Sequence, residues 1–214
     1  KGSKDGKWIE YNSDGKLLVD GVYDMKTKWN GIFRGEYYFD GIKAEEHNDY
    51  FADGGSTAKI SAKGLMINDS IKIGKWDFFR KDGSKKNSGD FDKNKKTGEW
   101  EYWYKSGDNE KVGFFKNDMM DGKWEGWYYS GQKFYVRTYK LGKKEGLWAW
   151  WNSDGSKKYE GMYLNDKKDG KWSQWNEKGD IIIEGSYYND IKWSGIFEDG
   201  RYYKGRMASR FEDY

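Results

Sequence analysis

A glycine followed two residues later by an aromatic ring recurs along this chain at a nearly fixed spacing. The rings of these pairs are Trp8, Phe33, Trp76, Trp100, Trp124, Trp148, Trp172 and Phe197. From Gly74 to Gly170 the spacing between successive glycines is 24 residues at every step. Sequence periods between about 20 and 50 residues indicate repeat architectures. The chain is therefore predicted to use one small structural unit several times.

Further positions of the unit are also fixed. A second ring follows the first by three residues, at Tyr11, Phe79, Trp103, Trp127, Trp151 and Trp175. A later glycine recurs at Gly21, Gly89, Gly113, Gly161 and Gly185, and a third ring comes two residues after it. Arg137 stands where this series would place a glycine. The unit reads G-x-W-x-x-[YFW]-x-x-x-G-x5-G-x-[YF], followed by a polar loop.

Each unit is predicted to be a β-hairpin, because "NSDG" and "KDG" between ring-rich runs are turn signals. With Tyr11 opposite Lys16, Trp8 and Gly21 share one face by the two-residue period of a strand. A cross-strand indole can cover the bare backbone of a strand glycine. The face with the first rings is thus expected to be the packed one, formed by Trp76, Trp100, Trp124, Trp148 and Trp172.

A single hairpin is not stable alone, whereas stacked units bury a continuous face. We therefore predict an all-β fold, an elongated single twisted antiparallel sheet of stacked β-hairpin repeats with about eighteen strands and a length of about 85 Å. The absence of proline, which cannot donate to a sheet, fits this fold. One repeat domain is expected over residues 1–214. Its parts are a repeat at 6–30, degenerate repeats with an insertion at 31–73, five regular repeats at 74–194, and a short terminal repeat and cap at 195–214.

The residues for catalysis are sparse, and we predict that the chain is not an enzyme and uses no cofactor or metal. The sequence has no cysteine, and its one histidine, His47, occupies a tryptophan position of the repeat. The "NSDG" turns lack the remaining ligands of a calcium loop. A single-layer sheet offers no obvious cleft between two carboxylates, which a glycosidase needs.

The second ring column is the candidate binding surface. Its tryptophans, which we predict to lie on the face opposite the packed one, are Trp103, Trp127, Trp151 and Trp175. Their predicted neighbours across the hairpin are small or polar, namely Asp108, Gln132, Ser156 and Asp180. Rows of exposed rings mark partner surfaces. The alternative, that local residues bury these rings or a bulge moves them to the packed face, stays open at this point.

Lysines gather in the loops between units and form a second candidate surface. They include Lys95, Lys96, Lys143, Lys144, Lys167 and Lys168. Such an edge could attract phosphate or anionic lipid. Aspartates such as Asp118 and Asp166 interleave with the lysines, and mixed charge is equally typical of a solvated edge that resists aggregation.

The unit resembles the MORN repeat in its bacterial variant. The resemblance rests on "GKWIEYNSDGKLLVDGVY", "GEWEYWYKSGDNEKVGFF" and "GLWAWWNSDGSKKYEGMY" and covers nearly the whole chain, with 31–74 the weakest part. It implies a hairpin solenoid with a binding or scaffolding role, and some bacterial members are described as antitoxins. Choline-binding repeats of cell walls are similar more distantly, since their period is near twenty and a "GW" opens each unit.

We therefore predict a non-catalytic MORN-type repeat protein for protein–protein interaction or scaffolding. The alternatives are a carbohydrate- or choline-binding module of the cell surface and an immunity or antitoxin protein. A protein partner is expected and a nucleic acid is not, while anionic lipid and oligomerisation through the sheet ends stay open. The compartment is not fixed by the sequence. Export to the cell envelope is favoured over the cytoplasm, with any leader missing before Lys1.

Overall fold

The computed structural model describes residues 5–24, 27–52 and 58–208, and every regular element in these ranges is a β-strand. Within each of the two units given below, the strands pair antiparallel in chain order as consecutive hairpins, so the predicted all-β hairpin-repeat fold is confirmed. The chain divides into two compact units, Lys1–Lys95 and Lys96–Tyr214. Residues 53–57 of the predicted insertion and residues 209–214 of the predicted cap lie outside the described ranges.

The first unit contains four hairpins that include the degenerate part of the repeat. Its strands are β1 (Gly6–Tyr11), β2 (Leu17–Asp24), β3 (Thr27–Phe33), β4 (Glu36–Phe39), β5 (Ile42–Tyr50), β6 (Ile60–Ile67), β7 (Ile71–Phe79) and β8 (Lys85–Asp92). The short β3–β4 hairpin corresponds to "GIFRGEYYFDG", one of the shortened copies of the repeat.

The second unit contains most of the regular repeats. Its strands are β9 (Lys95–Trp103), whose first residue is the last of the first unit, β10 (Asn109–Lys116), β11 (Met119–Trp127), β12 (Lys133–Lys140), β13 (Lys143–Trp151), β14 (Lys157–Leu164), β15 (Lys167–Trp175), β16 (Ile181–Tyr188), β17 (Ile191–Phe197), β18 (Gly200–Tyr203) and β19 (Arg206–Met207). Corresponding long strands of successive hairpins carry equivalent positions of the repeat at equivalent places in the ladder.

The strand register differs from the predicted one by a shift that keeps the faces. Trp8 pairs with Gly21, although the ring over that glycine is Phe33, and Tyr11 pairs with Leu17 and not with Lys16. The predicted register was wrong because the Asn12 N–H closes the turn on the Lys16 carbonyl, and a β-bulge between Glu10 and Tyr11 shifts the pairing by one further residue. The same irregularity recurs at the second ring of the later hairpins, for example between Gly126 and Trp127.

One series of strand glycines is covered by rings of the following hairpin, namely Gly21, Gly64, Gly113, Gly161 and Gly185. A methyl group added to Gly113 would collide with the Trp124 indole, although Gly113 pairs with both Trp100 and Trp124. The same holds for Gly161 beneath Trp172. The prediction that each hairpin covers its own glycine was therefore wrong. Each cover joins one hairpin to the next, and adjacent hairpins cannot separate without uncovering it.

Two-residue turns connect successive hairpins, and each is hydrogen-bonded to the start of the strand that follows the preceding turn. Asn117 and Asp118 both have positive φ, of 51° and 65°, as a type I′ turn requires. The Asp118 N–H donates to the Lys96 carbonyl at 3.0 Å, and the Lys96 N–H donates to Asp118 Oδ1 at 2.8 Å. The pairs Asp166 with Lys144 and Asp190 with Lys168 repeat both bonds. This edge of the second unit is therefore fixed by backbone hydrogen bonds from turn to turn.

The core of the second unit consists mainly of aromatic rings, many of them in contact edge to face. Phe115 and Trp124 have centroids 5.1 Å apart at 87°, and Tyr163 and Trp172 are 5.2 Å apart at 85°. Such T-shaped pairs contribute about 0.5–1.5 kcal/mol each beyond area burial. A chain poor in aliphatic side chains can therefore still bury a continuous apolar layer.

A carboxylate in the first unit gives a pH-dependent prediction. The Glu36 carboxylate lies 3.0 Å from Lys43 Nζ and 3.2 Å from Lys28 Nζ, and the Tyr38 hydroxyl donates to it at 3.1 Å. These bonds, that of Lys43 first, lower the pKa of Glu36 from 4.5 to about 2. A lowered pKa favours the folded state above pH 4.5, and this contribution is lost as the pH falls towards 2. An NMR titration of the Glu36 carboxyl carbon is expected to give a midpoint near 2.

Replacing Lys43 tests this cluster, because its hydrogen bond lowers the pKa of Glu36 the most. In Lys43→Met the midpoint of Glu36 is expected to rise by about one unit. Lys16→Met, which removes an exposed lysine of the same unit, should leave the midpoint in place. A wild-type midpoint near 4.5 would contradict the ion cluster.

Candidate functional site

The first ring column is core and not a binding surface. The indoles of Trp76, Trp100, Trp124, Trp148 and Trp172 are between 0 and 7% exposed, which confirms the predicted packed face. The Trp124 N–H donates to the Phe114 carbonyl at 3.1 Å, one residue after the glycine that its ring covers. Trp172 donates to the Met162 carbonyl in the same way at 3.0 Å. These rings therefore have both their apolar surface and their polar group satisfied within the fold.

The predicted lysine edge is divided between the two faces of the strands. Lys95, Lys143 and Lys167 are exposed, whereas Lys96, Lys144 and Lys168 are half-buried over the ring core. The Lys96 ammonium lies 4.3 Å from the Trp100 ring centroid, and the Lys168 ammonium lies 4.4 Å from that of Trp172. Burial lowers the pKa of both lysines. Half of the predicted edge thus caps the packed face by cation–π contact.

The second ring column is half-buried, with Trp103, Trp127, Trp151 and Trp175 neither in the core nor among the exposed large hydrophobic residues. Their pairing partners are Asn109, Lys133, Lys157 and Ile181. The predicted partners Asp108, Gln132, Ser156 and Asp180 were therefore wrong by one residue, because their carbonyls close the turn with the N–H of the residue after each ring, as Gln132 does with Tyr128. The strand alternation in β11 puts Trp127 on the same face as Glu125 and opposite Trp124. The structure brings these rings to one column and covers them only partly.

Trp127 lies beside a cleft formed by two hairpin tips of the second unit. The cleft has a volume of about 390 Å³ and is lined by Trp127, Tyr129, Ser130, Gly131, Asp108 and Asn109. Tyr129 is 65% exposed, and its ring contacts that of Tyr104 at 5.3 Å between centroids. The cleft therefore combines aromatic walls with small polar groups.

The backbone around the cleft is held by a tyrosine of the preceding hairpin. The Tyr104 hydroxyl donates to the Trp127 carbonyl at 2.7 Å, and the Tyr128 hydroxyl donates to the Trp151 carbonyl at 2.9 Å. These bonds fix the chain at the second rings while their side chains stay partly accessible. A backbone that is already held in place loses little conformational entropy when a partner binds.

The charges beside the second ring column are paired. Glu125 accepts from Lys133 at 2.6 Å and lies 3.0 Å from the Lys123 ammonium. Burial would raise the pKa of Glu125, but the two lysines outweigh burial and lower its pKa. At neutral pH this face therefore presents a fixed carboxylate next to Trp127.

Other residues with chemical potential give no reactive arrangement. His47 Nε2 lies 3.0 Å from Asp49, and the His47 ring is 6.1 Å from that of Trp76, which is consistent with its place in a ring position of the repeat. Within residues 5–24, 27–52 and 58–208, no three histidine or acidic side chains are grouped to hold a metal ion. These ranges also contain no helix with the length and apolarity of a membrane span.

Sequence reasoning found the second rings but missed the tyrosines of the hairpin tips. Tyr104 and Tyr128 each follow a second ring directly, and Tyr129 comes next in a turn containing Ser130 and Gly131. The adjacent rings in "WYYSG" were the available signal.

Comparison with known proteins does not identify a function for this site, since no protein-family model and no curated protein matches the chain.

Proposed function

We propose that this chain is a non-catalytic binding protein that engages another protein through its second ring column, centred on the cleft at Trp127. The observation that carries the proposal is the cleft itself, where a half-buried tryptophan and an exposed tyrosine lie beside serine, glycine and asparagine. Rigid rings supply contact area at low entropic cost, and small polar residues supply adaptable hydrogen bonds. Tryptophan and tyrosine are also the residues that dominate binding energy at protein interfaces.

The repeat itself supports a scaffolding role. The first four hairpins of the second unit each present one second ring, and Trp103, Trp127, Trp151 and Trp175 lie at equivalent ladder positions. Alternate strands of a sheet lie about 10 Å apart, so an extended partner could contact several rings in turn. We also infer that the hairpins are MORN-type repeats, a proposal supported by the 24-residue spacing and the glycine–ring covers.

The proposal is tested by affinity capture with the whole chain as bait. Trp127→Ala and Tyr129→Ala remove the rings of the cleft, and Tyr188→Ala is the matched control because Tyr188 is 61% exposed on another hairpin. A protein retained by the wild-type bait is expected to be retained at least tenfold less by the two cleft variants, since a hot-spot ring contributes about 2 kcal/mol or more.

Equal retention by the wild type and all three variants would contradict the proposal. Retention of glycans in place of proteins, with the same loss on Trp127→Ala, would favour the carbohydrate-binding alternative. An enzymatic turnover abolished by replacing one carboxylate would overturn the non-catalytic assignment.

A further inference from the structure

One repeat differs from the others in three residues of the packed face. Met120 stands where other repeats have the lysine over the ring, at Lys72, Lys96, Lys144 and Lys168. Gly126 stands where they have Phe78, Tyr102, Trp150 and Gln174. Arg137 stands where they have the covered glycine. All three departures lie on adjacent strands, β11 and β12, so one site of the face has been changed and the rest kept.

These departures form a cavity on the packed face. It has a volume of about 160 Å³ and is lined by the rings of Tyr102, Trp124, Tyr135 and Tyr139 together with Lys111 and Arg137. Gly126 lets the Tyr135 ring lie against the backbone, since a methyl group there would collide with that ring. Met120 brings no charge to the position beside Trp124. The result is an aromatic pocket with two cations.

Arg137 is positioned by stacking. Its Cζ lies 4.1 Å from the Tyr135 ring centroid and 4.7 Å from that of Trp150. Its Nε is buried and has no hydrogen-bond partner among the described residues. A buried donor without an acceptor is costly, and more so when it is charged. The stacked guanidinium, which lines the cavity, thus has at least one donor that the described residues leave unpaired.

The charge of the cavity favours an anion. Lys111 Nζ lies 4.7 Å from the Tyr102 ring, and its paired carboxylate, Glu110, is 3.4 Å away. The described residues that line the cavity include no carboxylate. Lys96 adds a third positive charge nearby, because its ammonium lies 5.1 Å from the ring of Phe115, which also lines the cavity. An anionic group would therefore enter a positive field.

We propose that this cavity binds a small organic carboxylate whose apolar part is about the size of one aromatic ring. The guanidinium fork matches a carboxylate with two parallel hydrogen bonds. A dry cavity of about 150 Å³ holds a benzene molecule, which is close to the volume here. The flanking rings provide stacking surfaces for the apolar part. The site is independent of the cleft at Trp127, which lies on the opposite face.

The probe for the test is benzoate, titrated calorimetrically into the whole chain at low ionic strength. A dissociation constant on the order of 1 mM is expected for a ligand of this size. Benzyl alcohol, which keeps the ring, and acetate, which keeps the charge, should each bind at least tenfold more weakly. In NMR spectra, the largest indole N–H shifts on adding benzoate are expected at Trp124 and Trp150.

Variants locate the binding at Arg137. Arg137→Gly restores the glycine of the other repeats and should weaken benzoate binding at least tenfold, since a hydrogen bond to a charged group contributes about 1.5–3 kcal/mol. Arg137→Lys keeps the charge without the fork and should weaken binding at least threefold. Lys143→Gln, which removes an exposed charge of the neighbouring strand β13, should leave it unchanged within twofold.

Unchanged benzoate affinity in Arg137→Gly would overturn the proposal. If that variant fails to fold, as judged by circular dichroism, the test relies on Arg137→Lys. Unchanged benzoate affinity in Arg137→Lys would then overturn the proposal. Acetate or inorganic phosphate binding as tightly as benzoate would also overturn it, because the rings would then have no role.

Discussion

Replacing Gly113 with alanine is expected to destabilise the second unit by about 3 kcal/mol. The added methyl group would occupy the space of the Trp124 indole, which must move and lose its hydrogen bond to the Phe114 carbonyl. Overpacking of a filled core costs about 1–3 kcal/mol, and a lost buried hydrogen bond adds about 1 kcal/mol. Urea denaturation followed by circular dichroism should show the midpoint lowered by about 1 M.

The comparison variant is Gly107→Ala, which adds the same methyl group where no heavy atom lies within 4 Å. Gly107 has a φ of +97°, so alanine there is strained, and a cost of about 1–2 kcal/mol is expected. An equal loss of stability in the two variants would mean that the indole does not close on Gly113 as described.

Removing the buried ring of β11 is expected to cost far more than removing the half-buried ring three residues later. Trp124 is 3% exposed, and its replacement by alanine should destabilise the fold by about 4 kcal/mol. Trp127→Ala should cost less, about 2 kcal/mol, because part of that ring is already in contact with water. The measurement is the free energy of unfolding of each variant in urea.

A third variant separates the ring from its hydrogen bond. Trp124→Phe keeps an aromatic ring but leaves the Phe114 carbonyl without its donor, so a cost of about 1–2 kcal/mol is expected. If Trp127→Ala were as destabilising as Trp124→Ala, the second column would be core, and the cleft at Trp127 could not serve as a partner surface.

The arrangement of the two ring columns could be predicted from spacing alone. The 24-residue frame and the two-residue period of strands place Trp124 on the packed face and Trp127 opposite it. The details of the register could not be predicted from the sequence, because the bulge beside Trp127 depends on how the turn closes and leaves no distinct residue pattern. The source of the glycine covers was also missed. Gly113 pairs with Trp100 and Trp124 equally, and only packing decides which ring lies over it.

The lysine pairs show a different kind of error. Lys95 and Lys96 were interpreted as loop residues, whereas β9 begins at Lys95. In a strand, adjacent side chains point to opposite faces, so the alternation that separates the two lysines was available once the strand start was known. Arg137 was noticed as an exception to the repeat, but its stacking on Tyr135 and Trp150 requires coordinates.

The rings over the strand glycines and the hydrogen bonds of the two-residue turns give the second unit a direction along the chain. The ring that covers Gly113 belongs to Trp124, and the carboxylate that accepts from the Lys96 N–H belongs to Asp118. In both contacts the second residue comes later in the chain than the first. A hairpin emerging from the ribosome therefore stays unfinished until its successor has been synthesised. Folding of this unit is expected to advance from its amino-terminal to its carboxyl-terminal hairpins, one repeat behind translation. A permuted chain that begins at an internal hairpin would lose this order of completion while keeping every strand.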